Sequence, residues 1–192
     1  MNRRDRRGIS ALRIVAAVVF ASLSAAAALP ACAQYQRLID QSVQLAGSGR
    51  YEAAIEAAAA ALKSAEETRG PEHLDVALAL NNLAEFEQMA AFAARDQAAI
   101  ARSADVAEPL HRRALEIRER ALGIRHSFTL ASLVNLARVH SQQRRYDEAE
   151  AEYRRARAVI QEISPPPPVL ADLDRQASAG LGRIARLRGP TQ

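Results

Sequence analysis

The residues of this chain that could carry chemistry are few: four histidines (His73, His111, His126 and His140), one cysteine (Cys32), and close carboxylates such as Glu66-Glu67 and Glu148/Glu150. A histidine beside a nucleophile would move protons or acyl groups. Two histidines four apart on a helix would hold a metal, and paired carboxylates would serve general acid–base work. The spacing denies each of these. No two histidines stand four apart, and the sequence has no G-x-S-x-G and no glycine-rich phosphate loop. Each acidic pair lies among arginines at helical spacing, as Glu116 does with Arg120, which reads as solvated surface charge. No catalytic residue, metal ligand or cofactor is expected, and the chain reads as a non-enzyme.

The cysteine belongs to a different kind of signal. Residues 1–13 are arginine-rich, and Ile14 to Leu29 is a 16-residue run without charge, short of the roughly 20 residues that span a bilayer. Pro30 follows, and Ala31-Cys32-Ala33 has the small-x-small form of a signal-peptidase site. Residues 1–33 are therefore expected to be a signal peptide, cleaved between Ala33 and Gln34. The mature protein would be periplasmic or secreted from a bacterium. A second reading stays open. Leu29-Pro30-Ala31-Cys32 resembles the bacterial lipobox, with Pro30 a poor fit, and would lipidate Cys32 and hold the protein at the outer membrane. Any membrane contact is thus expected only through the signal or through Cys32.

Charge follows the same boundary. The whole chain has a formal charge of +4 and a pI near 9.8. Arg3, Arg4, Arg6, Arg7 and Arg13 against Asp5 supply all of that excess, and the rest balances 21 basic against 21 acidic residues. A neutral exported protein without tryptophan, and with 4% aromatic residues, offers no platform for nucleic acid. With 49% hydrophobic and 25% charged residues the composition is that of a globular chain.

The elements that must position any site come from an internal repeat. Ala54, Ala107 and Ala149 head three similar segments, and sixteen residues after each comes a breaker: Gly70 before Pro71, Gly123, and Pro165. Leu80-Asn81-Asn82-Leu83-Ala84 corresponds to Leu133-Val134-Asn135-Leu136-Ala137. His73 and His126 correspond too, each three residues after its glycine, which marks them as turn or capping residues. The anchors are 53 and then 42 residues apart, so the second unit carries 11 extra residues. They fall around Ala90 to Arg102, a stretch without Pro or Gly that is expected to lengthen one or both helices of its pair. Apolar residues recur at three-four spacing in every unit, and no segment alternates with period two.

These residues, with Ala107-Glu108-Pro109-Leu110-His111-Arg112-Arg113-Ala114-Leu115, resemble the tetratricopeptide repeat (TPR) in its kinesin-light-chain-like subtype of about 42 residues. His111 and His140 stand where that family usually has a half-buried tyrosine. Its turn glycine is matched only by Gly49, with Arg144 in the third unit. The resemblance implies an all-α fold: an α-solenoid of about three TPR-like helix-turn-helix repeats (units about 34–72, 73–125 and 126–164 within a domain of 34–164). Residues 165–192 would follow as a proline-rich spacer, a capping helix over Val169 to Leu187 and a frayed tail. Asp172, Asp174, Arg175, Arg183, Arg186 and Arg188 would give that helix a polar outer face. By the same resemblance the first helix of each unit lines a concave groove, with Asn81, Asn82, Glu85, Asn135, Arg138 and Gln142 as candidate peptide-binding residues. Asn offers donor and acceptor to an extended chain, and Arg grips a carboxylate. The expected function is a protein-interaction adaptor or scaffold in the cell envelope, or else a lipidated accessory subunit of an outer-membrane assembly. The partner would be a protein or peptide and not nucleic acid.

Overall fold

The computed structural model describes residues 33–163 and 165–189. Among them run seven helices and no strand: α1 (33–47), α2 (Tyr51–Arg69), α3 (Leu74–Ala94), α4 (Gln97–Leu122), α5 (Ser127–Gln142), α6 (Tyr146–Gln161) and α7 (Pro168–Arg188). From α2 onward each helix packs on the next, α5 also packs on α7, and α1 shares a buried cluster with α2 and α3. This is a solenoid of helix pairs α1/α2, α3/α4 and α5/α6, with α7 stacked on the third pair as the last helix among the described residues. The arginine-rich head, the apolar run and Cys32 lie outside the described residues. Ala33 and Gln34 are exposed at the start of α1.

Local sequence explains each boundary. His73 and His126 are the N-caps of α3 and α5, their Nδ1 atoms accepting from the Asp75 and Phe128 backbone N–H groups at 3.1 and 3.2 Å. A ring nitrogen thus does the work usually given to Ser or Asp, satisfying one orphan donor of the first turn. Asp96 caps α4 in the usual way, through Ala98 N–H at 2.8 Å. Gly70 and Gly123, at φ of 87° and 76°, end α2 and α4 in a conformation that favours glycine.

Between the two helices of each pair, one residue is left-handed: Gly49, Arg95 and Arg144, with φ of 76°, 54° and 61°. Arg95 is therefore the second unit's equivalent of the turn glycine, hidden inside the stretch around Ala90 to Arg102. That stretch is two helix ends and a turn. Five of its extra residues extend α3 relative to α5, seven extend α4 relative to α6, and the turn is one residue shorter.

Ala54, Ala107 and Ala149 are all fully buried, as close approach of the paired helices requires. In α2 every buried side chain is alanine, so unit one packs by proximity, with Tyr35 and Ile39 of α1 filling the space beside Val76 and Leu80. The largest cluster joins Leu130, Leu133, Leu136, Tyr153, Ile160 and Leu170 across α5, α6 and α7. At Gly180, α7 approaches so near that a Cβ there would meet the Tyr153 ring at 2.4 Å.

Successive second helices are tied by ion pairs at repeating positions. Glu66 meets Arg113 at 2.6 Å and Glu119 meets Arg155 at 2.9 Å, the acid twelve and the arginine six residues past their anchors. The connectors repeat too, with reversed sign: Glu72 pairs with Arg120 at 2.5 Å, whereas Arg125 pairs with Glu162 at 2.6 Å. Exposed pairs of this kind contribute little energy each. Their inversion still penalises stacking the units in the wrong order, since like charges would then meet.

The polar face expected on α7 is only partly outward. Asp174 bonds Arg157 of α6 at 2.9 Å, and Arg188 reaches Asp147 and Glu150 at 2.5 and 3.2 Å. These charges pin α7 to α6, because its lower flank faces a helix rather than water. Among the described residues, no helix is long and apolar enough to cross a membrane.

Candidate functional site

Side chains three and four apart share one face of a helix, and two such stripes face each other across α3 and α5. On α3 the stripe runs through Leu78, Asn81, Glu85, Met89 and Phe92. On α5 it runs through Phe128, Ala131, Asn135, Arg138 and Gln142. Towards α7 the two enclose a cavity of about 470 Å³, whose third wall is Leu173, Gln176 and Arg183.

The middle of this groove is a ladder of amides. Asn135 Nδ2 donates to Asn81 Oδ1 at 3.1 Å and to Glu85 Oε1 at 3.0 Å, and Asn81 Nδ2 donates to the same Glu85 oxygen at 3.0 Å. The buried Gln88 extends it, accepting from Arg138 Nη2 at 3.3 Å and donating to Gln142 Oε1 at 3.5 Å. Arg138 Nε is buried without a hydrogen-bond partner. Arg138 and Arg183 both sit near Tyr153, whose phenol is pushed up by burial and pulled back by these two cations.

Of the six expected groove residues, Glu85, Asn135, Arg138 and Gln142 line the cavity, and Asn81 is bonded into the ladder beside it. Asn82 is not a groove residue. It does not line the cavity and is turned inward, where it is 9% exposed. Its sequence equivalence is to Asn135, but Asn81 is the side chain that meets Asn135. Met89, Phe92, Leu173, Gln176 and Arg183 were not expected. Met89 and Phe92 continue the Glu85 stripe by four and seven residues, so the period carried their signal. The α7 residues had no such signal, since their place depends on how the last helix docks.

The remaining histidines are structural, and deeper than the half-buried tyrosine they replace. His111 is fully buried with neither ring nitrogen partnered. Burial first, then the nearby Arg138 and Arg118, push its pKa down to about 3, which keeps it neutral. His140, 2% exposed, lies between Glu152 (Nδ1 to Oε2, 2.9 Å) and Glu108 (Nε2 to Oε1, 3.4 Å). Arg112 and Arg145 hold Glu108 at 2.6 and 2.8 Å. Burial alone would raise that carboxyl; the donated hydrogen bonds outweigh it and bring Glu108 down to about 2. Arg118, also buried, donates to Ser132 Oγ and the Phe128 carbonyl, which ties α4 to the start of α5. Among the described residues no group of three metal-ligating side chains converges, and no hydroxyl or thiol stands against a histidine in the groove. The groove can sort and hold a ligand by hydrogen bonds, charge and apolar contact.

Comparison with known proteins agrees with this geometry. Residues 97–162, which are α4 to α6 and the turn after, match the family model described as tetratricopeptide repeat. The chain is similar in fold to the solved structure of BtubC (BKLC) from P. vanneervenii, with a TM-score of 0.60 and 22% identity. That likeness covers 82% of this chain and 66% of the other, just under two thirds of its length. No curated protein matches the chain.

Proposed function

We propose that the protein is a non-enzymatic interaction module that holds a segment of a partner protein along the α3–α5–α7 groove. The observation that carries this reading is the pair of facing stripes, which set a polar middle beside apolar ends around an open cavity. The amide ladder keeps capacity in reserve. Asn135 Oδ1 and Glu85 Oε2 accept no hydrogen bond among the described residues, so an extended main chain can donate to both. Repeats of the tetratricopeptide family serve in general as protein-binding scaffolds. The closer likeness, to the kinesin-light-chain-like subtype, rests on the 42-residue spacing from Ala107 to Ala149 and on the Leu80 to Ala84 motif.

We place the protein in the bacterial envelope on the strength of the arginine head, the apolar run and the Ala31-Cys32-Ala33 site. Mass spectrometry of the mature N-terminus tests this: Gln34 supports secretion, and an intact Met1 refutes export. The alternative is a lipidated accessory subunit, favoured by Leu29-Pro30-Ala31-Cys32. It requires a lipid on Cys32 and membrane attachment that Cys32→Ser abolishes. The groove is tested by pull-down from an envelope extract with wild-type protein beside Asn135→Ala/Arg138→Ala. Partners that bind both equally would remove the groove from the mechanism.

A further inference from the structure

The repeat aligns Ala65, Arg118 and Ile160, each eleven residues past its anchor alanine. In units one and three that position is apolar core. The offset that matches Leu80 to Leu133 also carries Val76 to Thr129 and Ala79 to Ser132. So α2 meets α3 through Ala65, Val76 and Ala79, whereas α4 meets α5 through Arg118, Thr129 and Ser132, all six buried. Three apolar residues of one seam are polar in the next, and one of them is a guanidinium.

A buried charge destabilises the fold unless it is fully partnered. Arg118 is 6% exposed, and among the described residues only its Nη1 finds acceptors, Ser132 Oγ at 2.5 Å and the Phe128 carbonyl at 3.3 Å. Nε and Nη2 have none there, and no carboxylate lies within 4.0 Å. Burial pushes the guanidinium pKa down, with only the field of Glu85 opposing it. At the first seam the equivalent carbonyl, that of Asp75, accepts from the Tyr35 hydroxyl at 3.0 Å. A neutral donor is therefore enough to tie the helices, and the charge needs another reason.

That reason lies in front of it. Arg118 closes the back of a cleft of about 200 Å³ whose other walls are Leu74, Asp75, Leu78 and Phe128. The cleft sits between the end of α4 and the first turns of α3 and α5, at the far end of those helices from the cavity that α7 closes. Its back wall is a helix of the other layer, so it is a pocket between layers and not part of the α3–α5–α7 cavity.

We propose that this cleft is a small-molecule site for an apolar monocarboxylate. A dry cavity of about 150 Å³ accepts benzene, so this one has room for a ring and a carboxylate together. Leu74, Leu78 and Phe128 offer carbon to the ring, and Phe128 lies 5.7 Å from the guanidinium carbon. The carboxylate takes Nε and Nη2, whose parallel N–H groups match its two oxygens. Asp75 limits the charge to one. Its carboxylate is held beside Arg69 at 3.6 Å and His73 at 3.4 Å, and it repels a second anion in the cleft.

The test titrates phenylacetate, its neutral isostere phenylacetamide and the dianion phenylmalonate into the purified full chain, read by calorimetry and amide chemical-shift mapping. Phenylacetate is expected to bind at least about tenfold tighter than either of the others, with shifts at residues 74–78 and 127–129. Arg118→Met should remove the preference for the acid over the amide. Leu78→Glu changes a half-exposed residue and keeps Arg118, so it serves even if Arg118→Met fails to fold. It sets a carboxylate before the guanidinium and should abolish phenylacetate binding. Equal affinity for acid and amide, or a preference that survives both variants, would overturn the proposal. So would shifts confined to residues 85–92 and 173–183, which would put the ligand in the groove, and so would no binding up to about 10 mM.

Discussion

Replacing Gly180 by alanine tests how α7 is held. The added Cβ would lie 2.4 Å from Tyr153 Cζ, 2.5 Å from Cε2 and 2.9 Å from the hydroxyl. Ordinary van der Waals contact begins near 3.4 Å, so α7 must retreat from α6 by about 1 Å, or the buried ring must turn out of a packed site. Overpacking of this kind costs about 1–3 kcal/mol. Against it, alanine in a helix interior is favoured over glycine by about 1 kcal/mol. With a contact this short the clash lies towards the upper end of its range, for a net loss of about 1–2 kcal/mol. At about 2–4 °C per kcal/mol, thermal unfolding should fall by roughly 2–8 °C. Gly182 supplies the control two residues on, since a Cβ there meets nothing nearer than Arg186 Nη1 at 3.8 Å. Gly182→Ala should therefore gain about 1 kcal/mol, the opposite sign for the same chemical change. Adding Tyr153→Leu should make the Gly180→Ala change far cheaper, with a coupling of at least about 1 kcal/mol in the double-mutant cycle. If Gly180→Ala stabilises as Gly182→Ala does, α7 does not dock as described, and the third wall of the groove goes with it.

Three more consequences can be measured. Arg95→Gly and Arg144→Gly relieve left-handed backbone in exposed turns, and after the extra freedom of the unfolded chain each should gain about 0.5–1 kcal/mol in denaturant unfolding; a loss would mean that the arginine side chains hold the turns. His111 is held neutral, with its pKa down at about 3 against 6.5 unfolded, so its contribution is present above pH 6.5 and is lost as pH falls towards 3, on the order of 4 kcal/mol across that window. Glu108 also weakens the fold below pH 4.5, so the readout is the difference between wild type and His111→Phe over pH 3–7, which should shrink to nothing if His111 is solvated. Pro109 sits exposed inside α4, lacking an N–H and crowding the turn before it, and Pro109→Ala should raise the melting point by about 1–2 kcal/mol worth of stability; an unchanged or lower value would show that the packing of α4 needs the proline.

The pairing of helices was legible because it rests on short-range rules. The three anchors, the glycine stops and the two histidine caps recur at fixed spacing, and each acts within a turn of its own position. Arg95 was not legible, because the left-handed residue of a turn is recognised by glycine or asparagine, and an arginine there looks like helix surface. The inserted stretch was therefore legible as added helix on one or both sides of the turn, which is where it falls, but not in which residue makes the turn. The α7 charges failed for a different reason. Asp174 and Arg188 look like cap surface until the angle of α7 on α6 is known, and that angle is set by Gly180 against Tyr153, 27 residues apart in sequence.

The candidate groove shows the same division between phase and docking. Its α3 and α5 stripes follow from helical phase, which supplies Met89 and Phe92, whereas Asn82 has the phase of Asn135 and is removed by its burial. The repeat alignment misled at Asn82 because it matched that residue to Asn135 by position within the motif. Asn81 and Asn82 are neighbours at the edge of the α3 stripe, and it is the Asn81 amide that meets Asn135. What an alignment of repeats cannot supply is the contribution of parts that have no counterpart. The lengthened end of α3 and the last helix, α7, are the two such parts of this chain, and together they form the wall with Phe92 and Arg183. A site built where the repeat is broken escapes the constraint that every unit look alike.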